Sequence, residues 1–197
     1  MILLCIAMPE EMTYIKDKKS FSTKLILTGI GKVNAAMHLA ESLARNHVDH
    51  IINLGFAGAT KEYRVGDLVM VEHAQYHDFD LSVFGYKKGQ VPGYPVIFPS
   101  NHDLMEGVLN KFPNIKRGHL YTGDYFMTED LNQPMIFDME GAALYHVAHR
   151  DHIPILSIKV ISDIVGRGDA SEYHAFDQDQ GAKQLFDVYK RLILEEE

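Results

Sequence analysis

Three acids stand at the ends of apolar runs, where a carboxylate is costly to bury unless it has a partner or a task. Glu11 follows "ILLCIAM" and Pro9, together with Glu10. Glu140 closes "MIFDME", two residues after Asp138, and Asp163 closes "SIKVISD" beside Ser162. In open α/β sheets, ligands gather at the carboxyl ends of the strands. Acids delivered there from separate strands share one pocket. Burial and mutual repulsion then push their pKa values apart, so that one holds a proton while another accepts one. That is the equipment for general acid and general base chemistry. Each acid taken singly also has a plainer reading. Glu10 and Glu11 suit the positive end of a helix, and Asp163 suits the cap of a following turn. Asp138 suits a polar residue satisfied by solvent or a neighbouring backbone. A strand's period of two puts Asp138 and Glu140 on the same side, so alternation does not separate them.

Two glycine-bearing stretches add backbone donors. "TGIGKVNAA" (28–36) reads as a strand end, a tight turn and a helix start, which presents free N–H groups to an anion or polar ligand. It is neither a dinucleotide fingerprint, because position 34 is Asn, nor a P-loop, because no Gly lies five residues before Gly31. "NLGFAGA" (53–59) reads as a second glycine turn after a strand.

The elements that must position these groups alternate along the chain. Strands are expected at 2–8, 24–28, 50–55, 67–74, 118–123, 135–139 and 155–161, several of them continuously apolar, as strands covered on both faces are. Helical stripes run through Val33, Ala36, Met37, Ala40, Leu43 and Ala44, through Leu104, Met105, Val108, Leu109 and Phe112, and through Ala182, Leu185, Phe186, Tyr189, Leu192 and Ile193. All three stripes read as core contacts. The fold class is α/β: one domain over residues 1–197 with a mixed, largely parallel central sheet flanked by helices. The stretch 75–100, rich in Tyr, Phe, Gly and Pro, shows no clear periodicity, and loops of that length often carry function.

Composition narrows the partners. With 19 basic and 27 acidic residues the formal net charge is −8, which argues against nucleic acid or an anionic membrane. The eleven His match no familiar metal-binding spacing. Cys5 is the only cysteine, which fits a reducing, cytoplasmic setting. "MILLCIAM" is too short to span a bilayer and runs straight into "PEE", so it reads as a buried first strand rather than a leader.

"AMPEEM", "TGIGKVNAA", "NLGFAGA", "GDLVMVEHAQYHDFD", "FGYKKGQVPGYP", "TGDYFM", "DMEGAALYHVAH" and "ISD" occur in that order. Together they resemble the 5′-methylthioadenosine/S-adenosylhomocysteine nucleosidases of the nucleoside phosphorylase superfamily, over nearly the whole chain. "YHDFD" with "FGYKKGQVPGYP" is the most specific part. The resemblance implies a nucleoside phosphorylase-like fold and hydrolysis of the bond between adenine and a 5′-thio-substituted ribose, with no metal or cofactor. It makes Asp163 the general acid on the adenine, supported by Ser162, and Glu11 the base for water. It assigns Glu140 to the ribose hydroxyls, Met139 to the sugar face, Phe126 to stacking on adenine and the backbone at Met127 to the base edge. Tyr173 and Phe176 fall in the loop that covers the thio-substituent. It also implies a homodimer in which the 75–100 segment, through Leu81, Phe84 and Pro92, reaches the partner's 5′-substituent pocket.

Two pocket positions depart from the family pattern. Phe56 stands where the family usually has a small hydroxyl residue, so a bulky ring is expected beside the ribose or the water. Lys159 stands where it usually has Arg, a different tool for placing a carboxylate. The segments 12–24 and 128–138 are shorter than usual. The rival readings are a phosphorylase of the same superfamily, which needs a cationic phosphate site near a glycine turn, and an adenine-nucleoside binding protein without turnover.

Overall fold

The computed structural model describes residues 1–195 except 19, 130, 167 and 168. In chain order the elements are β1 (Ile2–Ile6), β2 (Thr23–Leu27), α1 (Lys32–Arg45), β3 (His50–Ala59), β4 (Leu68–Tyr76), β5 (Phe98–Pro99), α2 (His102–Lys111), β6 (Lys116–Thr122), β7 (Ile136–Asp138), α3 (Gly141–Arg150), β8 (Ile155–Ile164), α4 (Ser171–Ala175) and α5 (Gln178–Tyr189). A π-helical turn, Lys190–Leu194, extends α5.

The sheet is mixed. β1 lies parallel between β2 and β3, and β3 runs parallel to β8. Beyond β8 the pairing continues to β4 (antiparallel), then β6 and β7 (both parallel), and β7 returns to β3 antiparallel. Five strands therefore close on themselves, and β1 and β2 extend the sheet from β3. Strand alternation divides the core. Leu3, Cys5, Ile51 and Ala57 face α1 and α3, whereas Leu4, Ile6, Ile52, Leu54 and Phe56 face the side covered by α2 and α5. Each fully buried Leu or Ile contributes about 1.5–3 kcal/mol relative to exposure.

Helix ends follow the sequence. Asn101 caps α2 by accepting the Leu104 N–H at 3.1 Å, and Asp177 caps α5 by accepting the Gln180 N–H at 3.1 Å. The stripe expected on α1 is inner only in part: Ala36, Ala40 and Leu43 pack against the core. Ala35, Leu39 and Ser42 face the core, while Val33 is 75% exposed and Met37 52%. Apolar residues on both sides of this helix, and a Ser on its inner side, hide the true face.

"NLGFAGA" is not a turn. β3 runs straight through it to Ala59, four residues past the expected end, and pairs there with both β8 and β7. β8 likewise extends to Ile164 and so includes Ser162 and Asp163. The segment after β4 holds only a short 3₁₀ turn, Ser82–Phe84, before β5.

Candidate active site

β1 stops pairing with β3 at Cys5–Asn53, while β3 continues to Ala59. The chain after β1 folds back in turns over this overhang and buries Glu11 on it. Glu11 Oε2 accepts the N–H groups of Ala7 (3.1 Å) and Met8 (2.9 Å), and Oε1 accepts the Phe56 N–H (2.7 Å). A Cβ at Gly55 would lie 2.8 Å from Glu11 Oε1. Burial pushes the Glu11 carboxyl above its usual range, against the pull of Lys159 and the three backbone donors.

Gly58 serves the second acid in the same way, since a Cβ there would lie 3.0 Å from Asp163 Oδ2. The glycines of this strand give room for two carboxylates, not for a change of direction. The register of β3 against β8 slips between Ala57–Ile161 and Gly58–Asp163, leaving Ser162 as the extra residue of a bulge. The Ser162 hydroxyl lies 2.6 Å from Asp163 Oδ1 and 3.2 Å from the Ala57 carbonyl oxygen. Burial raises the Asp163 pKa; the Ser162 hydroxyl opposes the rise, and the Glu172 carboxylate adds to it.

The third acid sits where β7 passes into α3. Glu140 Oε1 accepts the Gly31 N–H at 2.8 Å, at the start of α1. Its pKa is pushed up to about 7 by burial first and by the Asp138 carboxylate second, while Lys159 pulls it down. Asp138 is itself buried. Its carboxylate accepts the Thr122 hydroxyl (2.6 Å) and the Gly141 N–H (3.0 Å), and its Oδ2 lies 3.0 Å from Lys159 Nζ. Of the two partners expected for Asp138, the neighbouring backbone is present as the Gly141 N–H, and in place of solvent the Lys159 ammonium and the Thr122 hydroxyl hold it. Lys159 is 2% exposed. Burial alone would lower its pKa, but Asp138, Glu11 and Glu140 together raise it and keep it charged.

Glu11, Glu140 and Asp163 line one cavity of about 270 Å³, together with Phe56, Phe126, Met127, Met139, Ser162 and Tyr173. The Phe126 and Tyr173 rings meet edge-on at 5.9 Å, and the Tyr173 hydroxyl reaches the Met8 sulfur at 3.8 Å. Acids thus occupy one part of the cavity, and aromatic and thioether groups supply much of the rest.

Five of the residues singled out from sequence lie outside that lining. Lys159 contributes from behind, through the carboxylates. Phe176, half-buried, packs edge-on against Phe56 at 5.0 Å. Phe56 therefore lines the cavity with a ring anchored in the core. Gly181 of α5 makes this possible, because a Cβ there would lie 2.7 Å from Phe56 Cε1. Leu81, Phe84 and Pro92 lie on the segment between β4 and β5, with Phe84 74% exposed. Sequence reasoning passed over Asp138, Met8 and Ile30 as lining residues. The available signals were the side Asp138 shares with Glu140 and the closeness of Met8 and Ile30 to Glu11 and Gly31.

The sequence model of the phosphorylase superfamily matches residues 23–194. A 5′-methylthioadenosine/S-adenosylhomocysteine nucleosidase of Staphylococcus haemolyticus is 34% identical over 199 residues, spanning 84% of this chain and 87% of its own. One from a Geobacillus species is 32% identical over 221 residues, spanning 95% of each. Among solved structures, the Streptococcus pneumoniae nucleosidase with a transition-state inhibitor superimposes with a TM-score of 0.84 at 28% identity, covering 97% of this chain and 99% of that one. On the strength of these matches and the shared fold, the chain belongs to the 5′-methylthioadenosine/S-adenosylhomocysteine nucleosidase family of the phosphorylase superfamily.

Proposed function

We propose that the protein hydrolyses the N-glycosidic bond of 5′-methylthioadenosine, S-adenosylhomocysteine or both, releasing adenine and the 5′-thioribose. One observation carries this reading: Glu11, Glu140 and Asp163 converge from three segments on one cavity, and burial raises the pKa of each. Cleavage builds positive charge on the sugar and negative charge on the departing base. Asp163, its pKa raised by burial and its carboxyl bonded by the Ser162 hydroxyl, delivers a proton to a ring nitrogen of adenine. Glu11, held by three backbone donors, accepts a proton from the water that attacks the anomeric carbon. Glu140 receives the ribose hydroxyls and Met139 packs on the sugar. Phe126 stacks on the base, the Met127 backbone reads its edge, and Tyr173 covers the thio-substituent and excludes water.

Lys32 argues against phosphorolysis. It is the cation at the glycine turn, and its ammonium is engaged by Asp78 at 2.5 Å and Asp124 at 3.5 Å. A phosphate would have to compete with two carboxylates for it. A cytoplasmic homodimer completes the reading, with the segment of Leu81, Phe84 and Pro92 near the interface. The exposure of Val83 and Phe84 supports a partner there. Among the described residues no helix is long and apolar enough to cross a membrane. The test of the activity is adenine release from both nucleosides by the purified protein in phosphate-free buffer.

A further inference from the structure

α1 begins without the usual help. Its N-cap is Gly31, which has no side chain to offer, and its first turn contains no acid. Two carboxylates from distant parts of the chain take that place. Glu140 accepts the Gly31 N–H at 2.8 Å, and Asp124 Oδ1 accepts the Lys32 N–H at 2.9 Å. The turn ahead of them has Gly29 and Gly31 at positive φ (76° and 94°), and α1 braces its carbonyls through Asn34 Nδ2 on Ile30 at 2.7 Å and the His38 ring 2.8 Å from the Thr28 oxygen. Those local bonds take up carbonyl groups, whereas the Gly31 and Lys32 N–H groups have their partners, Glu140 and Asp124, on other segments.

Asp78, just beyond the end of β4, supplies the outside hold. Its Oδ2 accepts both the Lys32 ammonium at 2.5 Å and the Asp124 N–H at 2.8 Å. One oxygen thereby joins the glycine turn to the loop after β6, which carries Tyr125, Phe126 and Met127 into the cavity. Burial pushes the Asp78 pKa up, but the Lys32 ammonium and the Asp124 N–H hold it below its usual value, so the clamp is ionised. The Lys32 ammonium also lies 5.5 Å from the centre of the Tyr76 ring, which restricts it further.

We propose that Asp78 is a positioning residue, which through Lys32 and Asp124 holds the Gly31 N–H on Glu140 and keeps the ribose side of the cavity in register with its base-stacking side. This rests on the reading of Glu140 as the ribose-binding acid. Among the described residues the charged groups that act most on Glu140 are Asp138, Lys159 and Glu11, and the clamp reaches Glu140 through the turn.

The experiment follows the Glu140 carboxyl by ¹³C NMR titration, assigned with Glu140→Gln, in wild type, Asp78→Asn, Lys32→Met and Lys32→Arg, alongside kcat/KM for 5′-methylthioadenosine. With the clamp broken in Asp78→Asn or Lys32→Met, the Gly31 donor drifts from Glu140. The carboxyl then titrates at higher pH, and kcat/KM falls about tenfold, the worth of a hydrogen bond to a charged group. Lys32→Arg stays closer to wild type than Lys32→Met. An unshifted Glu140 titration in folded Asp78→Asn and Lys32→Met overturns the proposal; should Asp78→Asn not fold, Lys32→Met decides. A wild-type protein that releases no adenine refutes the functional reading instead, and the titration still decides the clamp.

Discussion

The Lys159 ammonium lies 3.0 Å from the Asp138 carboxylate, and neither side chain reaches solvent. This pair joins β8 to the end of β7 at the wall of the cavity, which Asp138 lines. A buried pair often contributes little net stability, but removing one partner strands the other. Here the stranded charge is shared, because Lys159 also faces Glu11 and Glu140.

Lys159→Met is therefore expected to destabilise the fold by about 3–5 kcal/mol, as removal of one member of a buried pair does. Denaturant unfolding measures this. Lys159→Met with Asp138→Asn should recover part of the loss, since both charges are then gone. A single variant as stable as wild type contradicts the role given to the pair.

Glu140 makes stability depend on pH. Its folded-state pKa, about 7, lies above the ordinary 4.5. The native protein keeps a proton that the unfolded chain releases, so stability falls as pH rises from about 4.5 to about 7, by on the order of 3 kcal/mol. Glu11 and Asp163, also raised, act with the same sign. Burial lowers the pKa of His73, His77 and His146, which acts with the opposite sign, so the test is the difference: between pH 5 and 8 the unfolding free energy should lose more in wild type than in Glu140→Gln. Equal slopes remove Glu140 as the source.

Asp163→Asn keeps the shape of the side chain and removes the carboxyl proposed to deliver the proton. Turnover should drop by about 10²–10⁴-fold with the melting temperature little changed. Glu11→Gln should lower kcat in a comparable way, because the amide does not accept the water's proton. If only KM changes in Glu11→Gln, the base is another group.

Gly181→Ala tests how Phe56 is accommodated. The added Cβ would lie 2.5 Å from Phe176 Cζ and 2.7 Å from Phe56 Cε1. Overpacking of this kind costs about 1–3 kcal/mol. Phe176→Leu in the same chain should relieve part of it, and an unchanged midpoint in Gly181→Ala would mean that the two rings yield freely.

The acids were legible from sequence because each ends an apolar run, and the order of strands and helices was legible from hydrophobic period. What was hidden is nonlocal. Asp138 and Lys159 meet across two strands, and nothing near Asp138 in the chain announces the ammonium that binds it. Gly55 and Gly58 resemble turn residues, but their purpose is the close approach of Glu11 and Asp163, visible only when the strands are assembled. On α1 the apolar side through Val33 and Met37 outranked the inner one, which includes Ser42. Phe56 read as an obstacle to the pocket because its partners, Phe176 and Gly181, lie more than a hundred residues away.

Hydrolysis by three converging carboxylates is decided by adenine release from 5′-methylthioadenosine, measured with and without added phosphate. A hydrolase releases adenine at the same rate in both buffers, with free 5′-methylthioribose as the co-product. Cleavage that requires phosphate and yields a sugar 1-phosphate, or tight binding with the nucleoside recovered intact, would contradict it.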